Sequence, residues 1–192
     1  MKGICIFLAN GFEDMEALAT LDVLRRGALA VRTVSITADR GVLSSRGVPV
    51  QADVAFPEWE AEAAVAEPAG REDVMIFPGG MPGTRNLSSH GRLMALMQRH
   101  YTEGGTVAAI CAAPGLVASQ LPDIKGLRFT CFDGFEAEPM AKGACYVPEG
   151  VVVDGRLITG RGAGWAVPFG LAILEYLRGP AAVARVKAGL ML

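Results

Sequence analysis

Histidine and paired cysteine are what this chain has least of. Only His90 and His100 occur in 192 residues, with no ligand pattern around either, so no histidine-based metal centre is expected. Cys5, Cys111, Cys131 and Cys145 lie far apart. No C-x-x-C or zinc-finger spacing is present, which excludes a disulfide framework and a cysteine-bound metal and leaves four free thiols in a reducing compartment. No apolar run approaches the roughly 20 residues of a membrane span. Lys and Arg are scattered and the net charge is −2, which gives no footprint for nucleic acid or an anionic membrane surface. The stretch from Met1 to Asn10 has a short apolar run, no small-residue cleavage site and acids directly after it. It reads as a first strand and not as a secretion signal, and a cytoplasmic location is expected.

What is present is the composition of a compact fold: half of the residues are hydrophobic and a fifth charged. The length suits one domain over 1–192 with a core on two faces. Gly3–Ala9, Val31–Thr37, Val74–Phe77 and Val107–Ile110 are apolar runs of strand length. Between them, Glu13 to Arg26 and His90 to Glu103 carry helical spacing, with Met15, Leu18, Leu21 and Leu24 expected along one side of the first helix. Gly41–Val50 reads as a small hairpin and 57–71 as a surface segment with a helical turn or two. Arg128–Phe132 and Val151–Val153 read as strands, and Asp154-Gly155 as a hairpin turn before Leu157–Thr159. Helices are expected over Ala166–Leu177 and Ala181–Gly189. Strands alternating with helices over short connections predict an α/β fold, a doubly wound, mostly parallel sheet with helices on both faces. Sites in such sheets form at the carboxyl ends of the strands.

Cys111 is the residue that rule singles out. In Thr106-Val-Ala-Ala-Ile-Cys-Ala-Ala-Pro-Gly115 it ends an apolar run and begins a helix of small residues, the layout of a nucleophile elbow. Free amides and a helix dipole at that position would favour a thiolate. An inert cysteine closing a core strand fits the same string. Two other strand ends open on the same edge. The first runs into Asn10-Gly-Phe-Glu-Asp-Met-Glu16, and that at 74–77 runs into Pro78-Gly79-Gly80. Glu16, one turn into its helix, is placed to face Cys111 as hydrogen-bond donor or as general acid and base; it is equally a first-turn acid favoured by the dipole. Gly79 and Gly80 leave backbone amides bare, and with the amide of Ala112 they form a candidate oxyanion site. His90 and His100 read as solvent-facing helix residues.

Gly11-Phe-Glu-Asp-Met-Glu-Ala17, Phe77-Pro-Gly-Gly80, Ala108-Ala-Ile-Cys-Ala-Ala-Pro114 and Thr159-Gly-Arg-Gly-Ala-Gly164 together resemble the ThiJ/PfpI superfamily, in the branch of the parkinsonism-associated deglycase and its small bacterial relatives. The order and spacing of these blocks carry the resemblance over essentially the whole chain. It implies a flavodoxin-like sandwich, usually a homodimer, that needs no cofactor. It implies Cys111 as nucleophile and redox-sensitive thiol, Glu16 as its carboxyl partner, and the amides of Gly80 and Ala112 as oxyanion donors. Met15 and Arg46 match positions near the pocket or dimer interface, although Arg46 also reads as a solvated hairpin charge. Cys131 stands where the best-known relatives have a histidine. That removes the Cys-His base a peptidase or amidase needs. It leaves Cys131 as either a resolving thiol or a core cysteine.

The activity expected from this set is cofactor-independent, cysteine-dependent chemistry on 2-oxoaldehydes such as methylglyoxal or on their early protein adducts, glyoxalase- or deglycase-like. The alternative is an oxidative-stress sensor or chaperone-like protein using the same cysteine. Its expected partners are a small aldehyde or a glycated protein and a second copy of the chain.

Overall fold

The computed structural model describes residues 1–192. β1 (Ile4–Leu8) leads through α1 (Asp14–Arg26) to β2 (Val31–Ser35). A hairpin of β3 (Gly41–Leu43) and β4 (Pro49–Gln51) precedes the short β5 (Val54–Ala55) and α2 (Phe56–Val65). Then come β6 (Val74–Phe77), α3 (Gly83–Ser89), α4 (Gly91–Thr102), β7 (Thr106–Ile110) and the four-residue α5 (Ala113–Leu116). The remainder holds β8 (Arg128–Phe129), α6 (Ala137–Ala141), β9 (Cys145–Tyr146), β10 (Val151–Asp154), β11 (Leu157–Gly160), α7 (Ala166–Arg178) and α8 (Pro180–Gly189).

Seven strands form one sheet in the order β10-β11-β7-β6-β1-β2-β5. Every neighbouring pair is parallel except the β10–β11 hairpin. This is the doubly wound, mostly parallel α/β architecture that the alternating pattern predicts. Residues of β1 alternate between two cores. Cys5 and Phe7 pack with side chains of α2, α3 and α4, while Ile4, Ile6 and Leu8 pack with those of α1, α7 and α8. The chain builds outward from β1 to β2 and β5, then crosses to β6, β7 and β11 on the other side. The order reverses between β1 and β6, where the loops splay and leave a crevice at the carboxyl edge.

Several local expectations are corrected. The segment at 57–71 is mostly exposed, as expected, but its helix α2 is ten residues long and docks on the sheet. Phe56 and Trp59 are almost fully buried, and they seat α2 on the sheet. Burying a large aromatic side chain is worth about 2–3 kcal/mol, which outweighs the polar composition around it. On α1 the buried stripe is Glu16, Ala17, Thr20, Val23 and Leu24, while Met15 is exposed. The stripe is set by α7, whose Gly170 lets Val23 and Thr20 approach closely. Of the strand expected at Arg128–Phe132, only Arg128 and Phe129 pair, with β9 in a separate small sheet.

The histidines are corrected too. His90 caps α4, its Nδ1 accepting from the Leu93 amide at 3.2 Å. His100 is 1% exposed, and its Nε2 lies 3.0 Å from the Thr106 carbonyl oxygen, so Nε2 carries the proton and donates. Burial lowers its pKa to about 4. The unfolded chain therefore takes up this proton near pH 6.5 and the native state only near 4, so the contribution of His100 to stability falls as pH drops through that window. Relative to a His100→Gln variant, whose amide can still donate to Thr106, the protein is expected to lose about 3 kcal/mol between pH 6.5 and pH 4. Denaturant titrations of both at a series of pH values measure the difference.

Candidate functional site

The crevice at the reversal collects the three loops expected there, because β7, β6 and β1 are adjacent. Cys111 follows β7 directly and has φ +65°, a left-handed backbone unusual for a side chain with a Cβ. Its amide donates to the Gly160 carbonyl at 2.9 Å and its carbonyl accepts from the Phe132 amide at 2.8 Å. These two bonds hold the turn and present a half-buried thiol. The small residues Ala112 and Ala113 are buried where the chain reverses. Sequence and geometry agree on the nucleophile-elbow form.

Glu16 reaches the same point from α1. The helix begins on Glu13, whose carboxylate accepts from the Glu16 amide at 2.8 Å. Ser44 of the β3–β4 hairpin donates to Asp14 Oδ1 at 2.6 Å. Glu13 and Asp14 are thus structural first-turn acids, and Glu16, 1% exposed, is not. Its Oε2 accepts from the Gly79 amide at 2.7 Å, and its Oε1 is buried and unpartnered. Gly79 is the residue on which the pair converges. A Cβ there would lie 2.6 Å from Glu16 Oε2 and 3.0 Å from Cys111 Sγ, so only glycine lets both side chains close over the backbone.

The expected division of amides changes accordingly. The Gly79 amide is committed to Glu16 and is not an oxyanion donor. The amides of Gly80 and Ala112 face the sulfur instead. Gly80 takes φ +88°, and a Cβ on it would collide with the Glu13 nitrogen at 2.4 Å, so glycine is required there too.

The electrostatics correct the expectation of a standing thiolate. Burial pushes Glu16 up to about 7, against the thiol and the Gly79 amide, which pull it down. Burial, then the negative charge of Glu16 and a loose hydrogen bond with it, push Cys111 up to about 12, while the Gly80 and Ala112 amides pull it down. The four-residue α5 offers too little dipole to reverse this. The sulfur and the carboxyl cannot both be negative at low cost. The reactive form is the one in which the proton sits on Glu16 and the negative charge on sulfur, facing two amides.

The other candidates separate. Cys131 is fully buried in the core on the α2–α4 side, and burial pushes its thiol up to about 12. Cys111 packs instead against the α1–α7 core, so the two side chains enter different layers and a resolving role is not favoured. Arg46 and Met15 are exposed. They lie on the hairpin and on α1, which meet where the Ser45 amide donates to the Phe12 carbonyl at 2.7 Å. Two neighbours were not legible in the sequence as part of this edge. Phe132 and Trp165 are about half exposed. No helix is long and apolar enough to cross a membrane.

Comparison with known proteins places the fold. The chain is 31% identical over 168 residues to the glutathione-independent glyoxalase DJR-1.2 of Caenorhabditis elegans, covering 88% of this chain and 84% of that one. It is 30% identical over 191 residues to Protein DJ-1 homologs B and A of Arabidopsis thaliana, and spans only 42% and 47% of their lengths. Among solved structures, a cysteine-to-alanine mutant of the DJ-1 superfamily protein STM1931 of Salmonella typhimurium superposes with a TM-score of 0.87 at 32% identity, over 100% of this chain and 98% of that one. The model of the DJ-1/PfpI family matches residues 2–176, and the chain belongs to that family.

Proposed function

We propose that the protein is a cofactor-independent glyoxalase- or deglycase-like enzyme, with Cys111 as nucleophile and Glu16 as its proton carrier. The observation that carries this reading is the shared position of the two groups over Gly79, with Glu16 titrating near neutrality and one of its oxygens unpartnered. The name of the nematode relative supports the same class of reaction.

With methylglyoxal, the Cys111 thiol gives its proton to Glu16 and the sulfur adds to the aldehyde carbon. The aldehyde oxygen becomes an oxyanion held by the Gly80 and Ala112 amides and takes up the proton, giving a hemithioacetal. Glu16, now ionised, removes the hydrogen from that carbon and returns a proton to the adjacent carbon, while the hemithioacetal hydroxyl passes its proton to the former ketone oxygen, so the ketone becomes a hydroxyl and the sulfur-bearing carbon a thioester. Water cleaves the thioester to lactate and frees the thiol. One water is consumed, and oxidation of one carbon is balanced by reduction of its neighbour, so no external redox partner is needed. On an early adduct, the sulfur would take the carbinol carbon as its bond to the side-chain nitrogen or sulfur breaks, Glu16 giving the leaving group its proton, so that the side chain is freed and the same hemithioacetal forms. Proton transfer between neighbouring carbons requires a carboxyl that is both acid and base near pH 7, which is what burial makes of Glu16.

The expected homodimer would cover the exposed Met15, Leu43, Val48 and Met81. These residues lie on segments tied together by the Gly11 amide to Leu43 oxygen bond at 2.8 Å and the Gly83 amide to Gly11 oxygen bond at 3.1 Å.

The test is incubation of purified protein with methylglyoxal, without glutathione, followed by enzymatic assay of lactate. Steady lactate production is expected. No turnover, together with a selective gain of two oxygens on Cys111 in dilute peroxide, would favour the sensor reading. In that case the unpartnered Glu16 oxygen would hydrogen-bond a sulfinate.

A further inference from the structure

Beside Cys111 the carboxyl edge carries two large apolar rings that the chemistry above does not use. Phe132 is 52% exposed and Trp165 45% exposed. Neither is loose. The Phe132 amide donates to the Cys111 carbonyl, which fixes the start of its side chain one residue pair from the elbow. Its ring lies against Gly162, where an added Cβ would be 3.5 Å from Cδ2, and meets Phe135 edge-on with centroids 6.4 Å apart. Trp165 is anchored by its amide to the Gly162 carbonyl at 2.8 Å. The inner side of its ring covers Gly150 so closely that a Cβ there would come within 2.2 Å. Gly150 precedes β10, two places from β7 in the sheet, so the backbone beneath Trp165 lies about 10 Å from β7 by strand spacing.

The frame that carries the rings is braced, and its guanidinium groups are paired. Arg161 pairs with Asp133 at 2.7 Å and also donates to the Pro148 carbonyl at 3.3 Å. Arg128 pairs with Glu149 at 3.2 Å. Both guanidinium groups near the rings are therefore committed to acids, and the rim offers flat apolar surface without a free cation for a carboxylate or phosphate. The methyl group of methylglyoxal is too short to reach from Cys111 to Trp165.

We infer that Phe132, with Trp165 as the outer contact, forms an aromatic wall of the Cys111 site that selects carbonyl compounds bearing an aryl or similarly flat, uncharged substituent. The inference rests on Cys111 being the reacting atom of the proposed function, and it narrows the substrate class of that site. Stacked or edge-on aromatic contacts of this kind are worth about 2- to 10-fold each in rate or affinity.

The test uses the whole protein in a Cys145→Ser background, since Cys145 is exposed while Cys5 and Cys131 are buried. Second-order rates of Cys111 alkylation by iodoacetamide and by 2-iodo-N-phenylacetamide are read by intact mass, each divided by the rate with glutathione. A normalised preference of about 5-fold for the phenyl reagent is expected. It should fall toward unity in Phe132→Ala, be partly kept in Phe132→Leu, and fall less in Trp165→Ala. The ratio of kcat/KM for phenylglyoxal over methylglyoxal should follow the same order. The absence of a phenyl preference, or a preference unchanged in both alanine variants with native thermal midpoints, would overturn the inference. A phenyl preference in alkylation without turnover of either dicarbonyl would keep the wall and refute the glyoxalase reading.

Discussion

Cys111→Ser is expected to abolish lactate formation from methylglyoxal, by about 10³-fold or more, with little change in thermal midpoint. The substitution exchanges one atom in a half-buried position and keeps the backbone bonds that fix the elbow, Cys111 N to Gly160 O and Phe132 N to Cys111 O. The loss is chemical. A serine hydroxyl must shed a proton held far more tightly than that of a thiol, and no histidine stands beside it to take that proton. The carboxyl that remains is held near 7. The Gly80 and Ala112 amides steady an anion but cannot create one. Where a nucleophile and its partner act as a unit, removing either one removes most of the acceleration. Lactate production by the serine variant at a rate near that of the wild type would leave the proposed scheme without its first step.

Glu16→Gln is expected to do two opposite things. Turnover should fall by about 10²- to 10⁴-fold, the range for loss of a positioned acid and base, because an amide cannot carry a proton between neighbouring carbons. Stability should rise. Glu16 titrates near 4.5 in the unfolded chain and at about 7 in the folded one. Between those values the native state holds the proton and the unfolded state does not. The contribution of Glu16 to stability therefore declines as pH rises from 4.5 to 7 and stays lower above that. Glutamine keeps an oxygen for the Gly79 amide and never ionises, so the variant escapes the decline. The expected gain is about 3 kcal/mol at pH 8, vanishing below pH 4.5, and chemical denaturation at both pH values checks it. Alkylation of Cys111 separates a proton carrier from a mere prop. With the negative neighbour gone, the thiol should react no more slowly at pH 7. A variant that loses turnover and alkylation together would point to a collapsed site.

Much of this was legible in the chain. Val74–Phe77 and Val107–Ile110 are continuous apolar runs because strands at the centre of a parallel sheet are buried on both faces. Once those strands were placed, the rule of carboxyl ends brought Cys111, Gly80 and Glu16 to one edge. What failed was whatever depends on a contact made outside a residue's own helix or strand. His100 sits on a helix whose pattern says nothing of the Thr106 carbonyl waiting above it. Trp59 is flanked by Glu58 and Glu60, and only the sheet beneath α2 explains its burial. The commitment of the Gly79 amide to Glu16 joins residues 63 positions apart. The raised pKa of the thiol has a related origin: burial beside Glu16 sets it, and the string shows a helix start but neither that burial nor that the helix ends after four residues.

His100 touches the first residue of β7 and Glu16 the loops beyond the last, so two displaced protons sit at opposite rims of one sheet. Between pH 4.5 and 6.5 folding adds a proton at one rim and releases one at the other, and the totals cancel. In this interval acidity exerts no net pull through these two groups, and the native protein behaves as though neither were perturbed. Glu16→Gln breaks that symmetry, and the acid sensitivity of the distant imidazole then shows in the variant's own pH profile.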